Sequence, residues 1–186
     1  MNETILVVKG AFDAAWCNAC FNAVKRIEAA SVGDDGTKSN RIRRSNISFL
    51  TGSVRHANLF VPMIKFISDI NENHYRWDLT DPESIQFTEY NESNQGMYHP
   101  HKDTSNYHID EPIVRKLSIS VQLTDGSGYE GGDLIFPDQD EPLPQEELKT
   151  IGTAIVFPSY LRHGVTPVTK GTRHSAVSWV LGPPFK

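Results

Sequence analysis

Cysteine is almost absent: the 186 residues contain two, Cys17 and Cys20, both within AWCNACFNAV. Two thiols cannot staple a disulfide-dense scaffold, and a single CxxC is only half of a closed structural zinc site, with no second half in the chain. A redox CxxC sits at a helix start after a strand. Here Trp16, Ala19, Ala23 and Ile27 recur at helical spacing through the pair, so both are expected to be reduced helix cysteines. Long apolar runs are missing too. No segment approaches the ~20 apolar residues that span a bilayer. MNETILVVKG has an acidic start and one short apolar run, unlike a secretory signal. The expectation is an intracellular, cytoplasmic protein with no membrane partner, in which the sequons at Asn2, Asn46 and Asn91 carry no weight. A positive excess is also lacking. A net charge of −5 and a pI near 5.8 argue against a large nucleic-acid surface. Arg41, Arg43 and Arg44 are the one basic cluster, read as a solvated turn.

The length suits one domain, 1–186, with a real core. Over 1–84 the pattern is mixed. Ile5 to Val8 reads as a strand, and a helix follows from an N-cap at Asp13 to about Ala30. SVGDDGTKSN is a polar loop and NISFL another strand. Met63, Phe66, Ile67 and Ile70 then fit a helix with Pro62 in its first turn, ended by NENHYRWDLTDPE. Over 85–182 short strand-like runs follow one another: IQFTEYN, GMYHPHKD, RKLSISVQL, GGDLIF, GTAIVF and RHSAVSWVL, separated by Gly, Pro, Asp or Asn. That spacing is the signature of a β-sandwich, jelly roll or barrel. The acidic PDQDEPLPQEELKTIG reads as an exposed loop. The fold class is therefore mainly β, with two helices packed beside a C-terminal sandwich.

Within YHPHKDTS, His99, His101 and Asp103 alternate, so a strand would place them on one face. Imidazoles and a carboxylate desolvate badly unless paired or bound to a metal. His163, after the turn-like PSYLR, supplies a distant third partner. Two histidines and one carboxylate with open positions form the facial triad of non-haem Fe(II) oxygenases. His101 is preferred over His99 because it pairs with Asp103 and because of what lies ten residues beyond His163; His56, His74 and His108 are read as surface or hydrogen-bonded histidines. That residue is Arg173, inside a strand pattern, where a guanidinium is costly to bury without an anion. Ser175, two residues on, would share its face and add a hydroxyl.

Together, YHPHKD, YEGGDLIFP and GTAIVFPSYLRHGVTPVTKGTRHSAVSW resemble the 2-oxoglutarate- and Fe(II)-dependent oxygenases. The resemblance is to the prolyl 4-hydroxylase-like branch that includes the PKHD-type hydroxylases, and RRSNISFL is similar to a segment before that branch's core. It implies a double-stranded β-helix, or jelly roll, with supporting N-terminal helices. It also implies Fe(II) on His101, Asp103 and His163, and Arg173 on the distal carboxylate of 2-oxoglutarate. Tyr90 matches a pocket tyrosine, Trp179 a pocket aromatic, and Tyr98 an aromatic position before the first ligand. In KLSISVQL, Ser118, Ser120 and Gln122 share a face, where some members carry a tyrosine; Ser120 and Gln122 are candidate pocket residues. The implied reaction consumes O2 and 2-oxoglutarate, releases succinate and CO2, and hydroxylates a C–H bond, with ascorbate keeping the iron reduced.

Two rival readings carry different chemistry. A cupin-like metalloenzyme would have no use for a carboxylate clamp at Arg173, and a structural-zinc binding module would have four Cys or His ligands. The substrate is not legible. TSNYHIDEPIVRK resembles the family's substrate-covering loop, and a peptidyl proline is the family's suggestion, beside a small molecule. Nothing in the sequence fixes the oligomeric state.

Overall fold

The computed structural model describes residues 5–30, 41–52, 54–104 and 113–185. The described strands are β1 (Leu6–Val8), β2 (Glu28–Ala29), β3 (Arg43–Arg44), β4 (Asn46–Leu50), β5 (Ile85–Asn91), β6 (Met97–His101), β7 (Val114–Gln122), β8 (Tyr129–Gly131), β9 (Leu134–Ile135), β10 (Ala154–Pro158), β11 (His163–Val165) and β12 (Val168–Gly182). The helices are α1 (Ala14–Ala23), α2 (Ala57–Ile70) and the single turn α3 (Gln145–Leu148). The strands form two antiparallel sheets. The major one runs β1-β10-β7-β12-β5-β4-β2 with β8 on β12, and the minor one β3-β6-β11-β9.

Period-two alternation decides which side of the major sheet does what. On β7, Leu117, Ile119 and Val121 join a core with Trp16, Leu59, Met63 and Ile67 of the helices. The intervening Ser118, Ser120 and Gln122 point the other way, toward the minor sheet. β12 alternates likewise, with Ala176 and Val180 in the helix-side core and Arg173, Ser175, Val177 and Trp179 lining a cavity between the sheets. A second core of Tyr90, Leu134, Phe157, Leu161 and Val165 closes the inter-sheet space around it.

Several expectations for the N-terminal half are corrected. The N-terminal strands join both sheets, β1, β2 and β4 extending the major one and β3 the minor one. α1 is capped as expected, Asp13 Oδ1 accepting from Trp16 N at 2.7 Å. It stops at Ala23, not near Ala30, because Glu28 and Ala29 pair with Ile47 and Asn46 as an edge strand. Its buried residues are Trp16, Cys17 and Cys20, while Ile27 is exposed. α2 starts at Ala57, which puts Pro62 in its interior. The lost N–H bond there is outweighed by the buried row Leu59, Met63, Ile67 and Ile70. A π-helical turn, Asn71–Tyr75, then ends on Arg76 at a left-handed φ of 54°. The acidic connection is not wholly exposed, since α3 buries Leu148 in the inter-sheet core.

Candidate active site

His101 ends β6 and His163 begins β11, and the two residues are direct partners in register. Asp103 lies two residues past the end of β6, so strand alternation does not place it. Instead its N–H donates to Ser159 O at 2.9 Å, and its Oδ2 accepts from Ser118 Oγ at 2.7 Å. The ligand atoms of His101, Asp103 and His163 lie within 4.8 Å of one another.

Each imidazole is held in one tautomer. His101 Nδ1 lies 2.9 Å from His99 O and His163 Nδ1 lies 3.0 Å from Leu161 O, so both Nδ1 atoms carry the proton. Both Nε2 lone pairs then face Asp103, at 3.4 Å from Oδ1 and Oδ2 respectively. Burial pushes the Asp103 pKa up, but when the imidazoles are protonated the His101 hydrogen bond and the two imidazolium charges, with the Ser118 hydrogen bond, outweigh it and hold the carboxyl well below its ordinary range. Burial lowers the His163 pKa, with Asp103 pulling against it. The result is a carboxylate with two neutral nitrogens on one side of a cavity, a donor set suited to a divalent transition metal with open positions. His99 is exposed and stands outside this group. His56 bonds Thr51 O, His74 is exposed, and His108 lies outside the described residues.

Arg173 enters the cavity from the opposite sheet, paired in register with Tyr90. It is 3% exposed, and among the described residues it has no carboxylate partner. Its Cζ sits 5.5 Å from the Tyr90 ring centroid. Such a cation is matched to an anionic ligand. The double glycine of YEGGD makes room for it. Gly132 has φ of 62°, and a Cβ there would meet Arg173 Cδ at 3.1 Å and Tyr129 Cε2 at 3.2 Å.

Ser175, Ser120, Tyr98 and Trp179 all line the same cavity. Tyr98 stacks on His101 at 3.5 Å between centroids. Trp179 carries Arg115 over its ring at 3.9 Å, and its buried Nε1 has no hydrogen-bond partner among the described residues. Gln122 is the exception: it does not line the cavity. Its Nε2 donates to Thr124 O at 2.5 Å and to Tyr129 OH at 3.0 Å. Burial raises the Tyr129 pKa while Arg173 pulls it back down, so this phenol stands beside the guanidinium. Tyr129 was not legible as a site residue, because β8 pairing with β12 is what brings it there. The basic cluster is also corrected. Arg43 is not solvated but 9% exposed on β3, at the cavity wall.

These features match known proteins. The sequence profile of the 2OG-Fe(II) oxygenase superfamily matches residues 85–181. A PKHD-type hydroxylase of Alteromonas mediterranea is 36% identical over 88 residues, covering 41% of this chain and 38% of the relative. One of Shewanella oneidensis is 39% identical over 87 residues, covering 42% and 38%. The chain thus spans well under half the length of these curated relatives. A Trichoplax adhaerens prolyl hydroxylase, solved with a hypoxia inducible factor oxygen degradation domain peptide fragment, superposes with a TM-score of 0.75 at 15% identity, covering 97% of this chain and 84% of that one. A Pseudomonas putida prolyl-4-hydroxylase gives 0.70 at 18% identity, covering 99% and 95%. No helix among the described residues is long and apolar enough to cross a membrane. With more than half the chain, the whole run from β5 into β12, matched by that profile and its three donors and arginine gathered in one cavity, the protein belongs to the 2OG-Fe(II) oxygenase superfamily.

Proposed function

We propose that this chain is an Fe(II)- and 2-oxoglutarate-dependent dioxygenase that hydroxylates a substrate C–H bond, prolyl 4-hydroxylase-like and acting on a peptide or protein, with release of succinate and CO2. One observation carries the reading. A buried arginine that has no carboxylate partner among the described residues faces a three-donor group across one cavity. We read the two sheets as the family's double-stranded β-helix, with residues 1–84 elaborating a core of 85–182 in one unit.

The residues divide the work. His101, Asp103 and His163 would hold iron, which supplies O2 activation coupled to oxidative decarboxylation of the oxo acid. Ser118 and the Ser159 carbonyl fix Asp103, and the carbonyls of His99 and Leu161 keep both Nε2 atoms free to coordinate. Arg173 would take the distal carboxylate of 2-oxoglutarate as a bidentate fork, with Ser175 and Tyr90 beside it. Tyr129, braced by Gln122, steadies the guanidinium from behind. Leu134, Phe157, Val165 and Val177 form apolar walls that keep the reacting centre dry. Trp179 and the Glu83–Arg115 pair, 2.6 Å across, flank the cavity and offer contacts to an entering substrate. The peptide fragment in complex with the Trichoplax prolyl hydroxylase supports a peptide substrate here. Ascorbate would serve as reductant.

The test is anaerobic loading with Fe(II), then O2, 2-oxoglutarate and a panel of proline-containing peptides, with succinate as the readout. Iron-dependent succinate formation stimulated by a peptide, and lost in His101→Ala but not in His99→Ala, is the expected result. No iron-dependent turnover of 2-oxoglutarate by the folded wild-type chain would overturn the reading in favour of a metalloenzyme that needs no oxo acid.

A further inference from the structure

Arg43 is a second buried arginine at this cavity. It lies on β3, opposite Tyr98 in register, and its Nε donates to Ser45 Oγ at 2.7 Å. Its Cζ rests 4.6 Å from the Tyr98 ring centroid, and Tyr98 in turn stacks on His101. Neither contact neutralises the charge. Ser45 offers only an alcohol oxygen and Tyr98 the face of its ring, and neither group is a carboxylate. Among the described residues no carboxylate pairs with Arg43. The other cations at the cavity are accounted for: Arg115 has Glu83, and Arg173 is given to the co-substrate in the reading above. A buried guanidinium without an anion is expensive, which marks Arg43 as a place for an anionic ligand.

We propose that Arg43 is an anion subsite for the primary substrate, receiving a carboxylate carried a few bonds from the carbon that is oxidised. The inference rests on the oxygenase reading and names a substrate class within it. Arg43 and Arg173 belong to different sheets. A dicarboxylate running from the metal ligands to Arg173 on the major sheet leaves Arg43, on the minor sheet, unsatisfied. The Tyr98 ring touches Arg43 on one side and the ligand His101 on the other, so an anion on Arg43 and the reacting carbon are close neighbours. A free α-carboxylate of a small amino-acid-like molecule and an acidic side chain of a peptide present the same group.

The experiment fills the first site with Zn(II) and N-oxalylglycine and follows the Arg43 guanidinium resonance by NMR, assigned with Arg43→Lys. Acetate should shift it saturably and acetamide should leave it unmoved. N-acetylproline and N-acetyl-aspartyl-prolinamide then separate the two sources, the tighter probe naming the one used. Arg43→Gln should weaken that probe about 30-fold or more while N-oxalylglycine affinity stays within about twofold. Arg43→Lys should recover part of the loss. No acetate response in the wild type, or an equal loss of N-oxalylglycine affinity in Arg43→Gln, overturns the subsite. Failure of the oxygenase reading shows separately, as a wild-type protein that does not bind N-oxalylglycine in the presence of Zn(II).

Discussion

Ser118 donates its hydroxyl to Oδ2 of Asp103 at 2.7 Å and shares a second contact, 2.9 Å, with Ser159 Oγ. One carboxylate oxygen is therefore engaged by the protein, leaving Oδ1 as the freer donor for a metal. Ser118 is fully buried on β7, so water does not replace it when it is removed. Ser118→Ala is expected to lower metal affinity by about 10-fold or more without unfolding the chain. A Mn(II) titration followed by EPR measures this, and an unchanged affinity would show that Asp103 needs no such support.

Cys17 and Cys20 are wholly buried among Trp16, Leu59 and Met63. Burial raises both thiol pKa values, which removes them as nucleophiles at neutral pH. Replacing both by serine puts hydroxyls where thiols packed, at about 1–3 kcal/mol each if unpaired. The double serine variant should lose thermal stability, the double alanine variant should differ from it, and 2-oxoglutarate turnover at low temperature should stay within a small factor in both. Loss of turnover in a folded variant would mean that the pair has a chemical role.

His174 is wedged between Phe21 and Phe87 on the helix side of β12, with Nδ1 2.9 Å from Thr124 Oγ1 and Nε2 3.3 Å from Glu89 Oε2. Burial lowers its pKa, with Glu89 pulling partly back. The unfolded chain then takes up the proton first as pH falls. Its contribution to stability is full above the ordinary histidine value of about 6.5 and is lost progressively below it. His163 acts in the same direction, so the diagnostic is a comparison. Between about pH 7.5 and about pH 5.5 the melting temperature of wild type should fall more steeply than that of His174→Asn. Parallel slopes would remove His174 from the acid response.

What the sequence revealed and concealed follows from the range of each interaction. KLSISVQL shows its two faces by alternation alone, and the same alternation on β12 groups Arg173, Ser175 and Trp179. The donor trio was legible from residue type, although hydrogen bonds beyond the end of β6 hold Asp103 in place, not the strand. Arg43 looked like part of a solvated cluster because its burial depends on β3 pairing with β6, an association no local pattern encodes. α1 was overextended for the same reason, since the pairing of Glu28 and Ala29 with β4 competes with helix continuation. Gln122 was placed on the correct face, but its amide is spent on Tyr129, whose position depends on β8 joining β12.

That last contact makes Arg173 and Tyr129 separable by experiment. If Arg173 clamps the distal carboxylate, Arg173→Ala strands an anion in a dry pocket, at a cost of about 2–5 kcal/mol. That is a fall in 2-oxoglutarate affinity of roughly 30-fold to several thousand-fold. Arg173→Lys should recover only part, because a point charge replaces a fork. Tyr129→Phe leaves the guanidinium in place but removes the phenol beside it and the acceptor for Gln122 Nε2. A hydrogen bond of this kind contributes about 0.5–1.5 kcal/mol, so the expected loss is smaller, about 3- to 10-fold. Neither change touches a metal ligand, so metal affinity should hold in both. Anaerobic titration of 2-oxoglutarate into the Fe(II) protein, read by the charge-transfer absorption of a chelated oxo acid, gives the affinities directly. Unchanged affinity in a folded, iron-loaded Arg173→Ala protein would remove the clamp, and a Tyr129→Phe loss as large as that of Arg173→Ala would move the phenol from supporting the arginine to contacting the co-substrate itself.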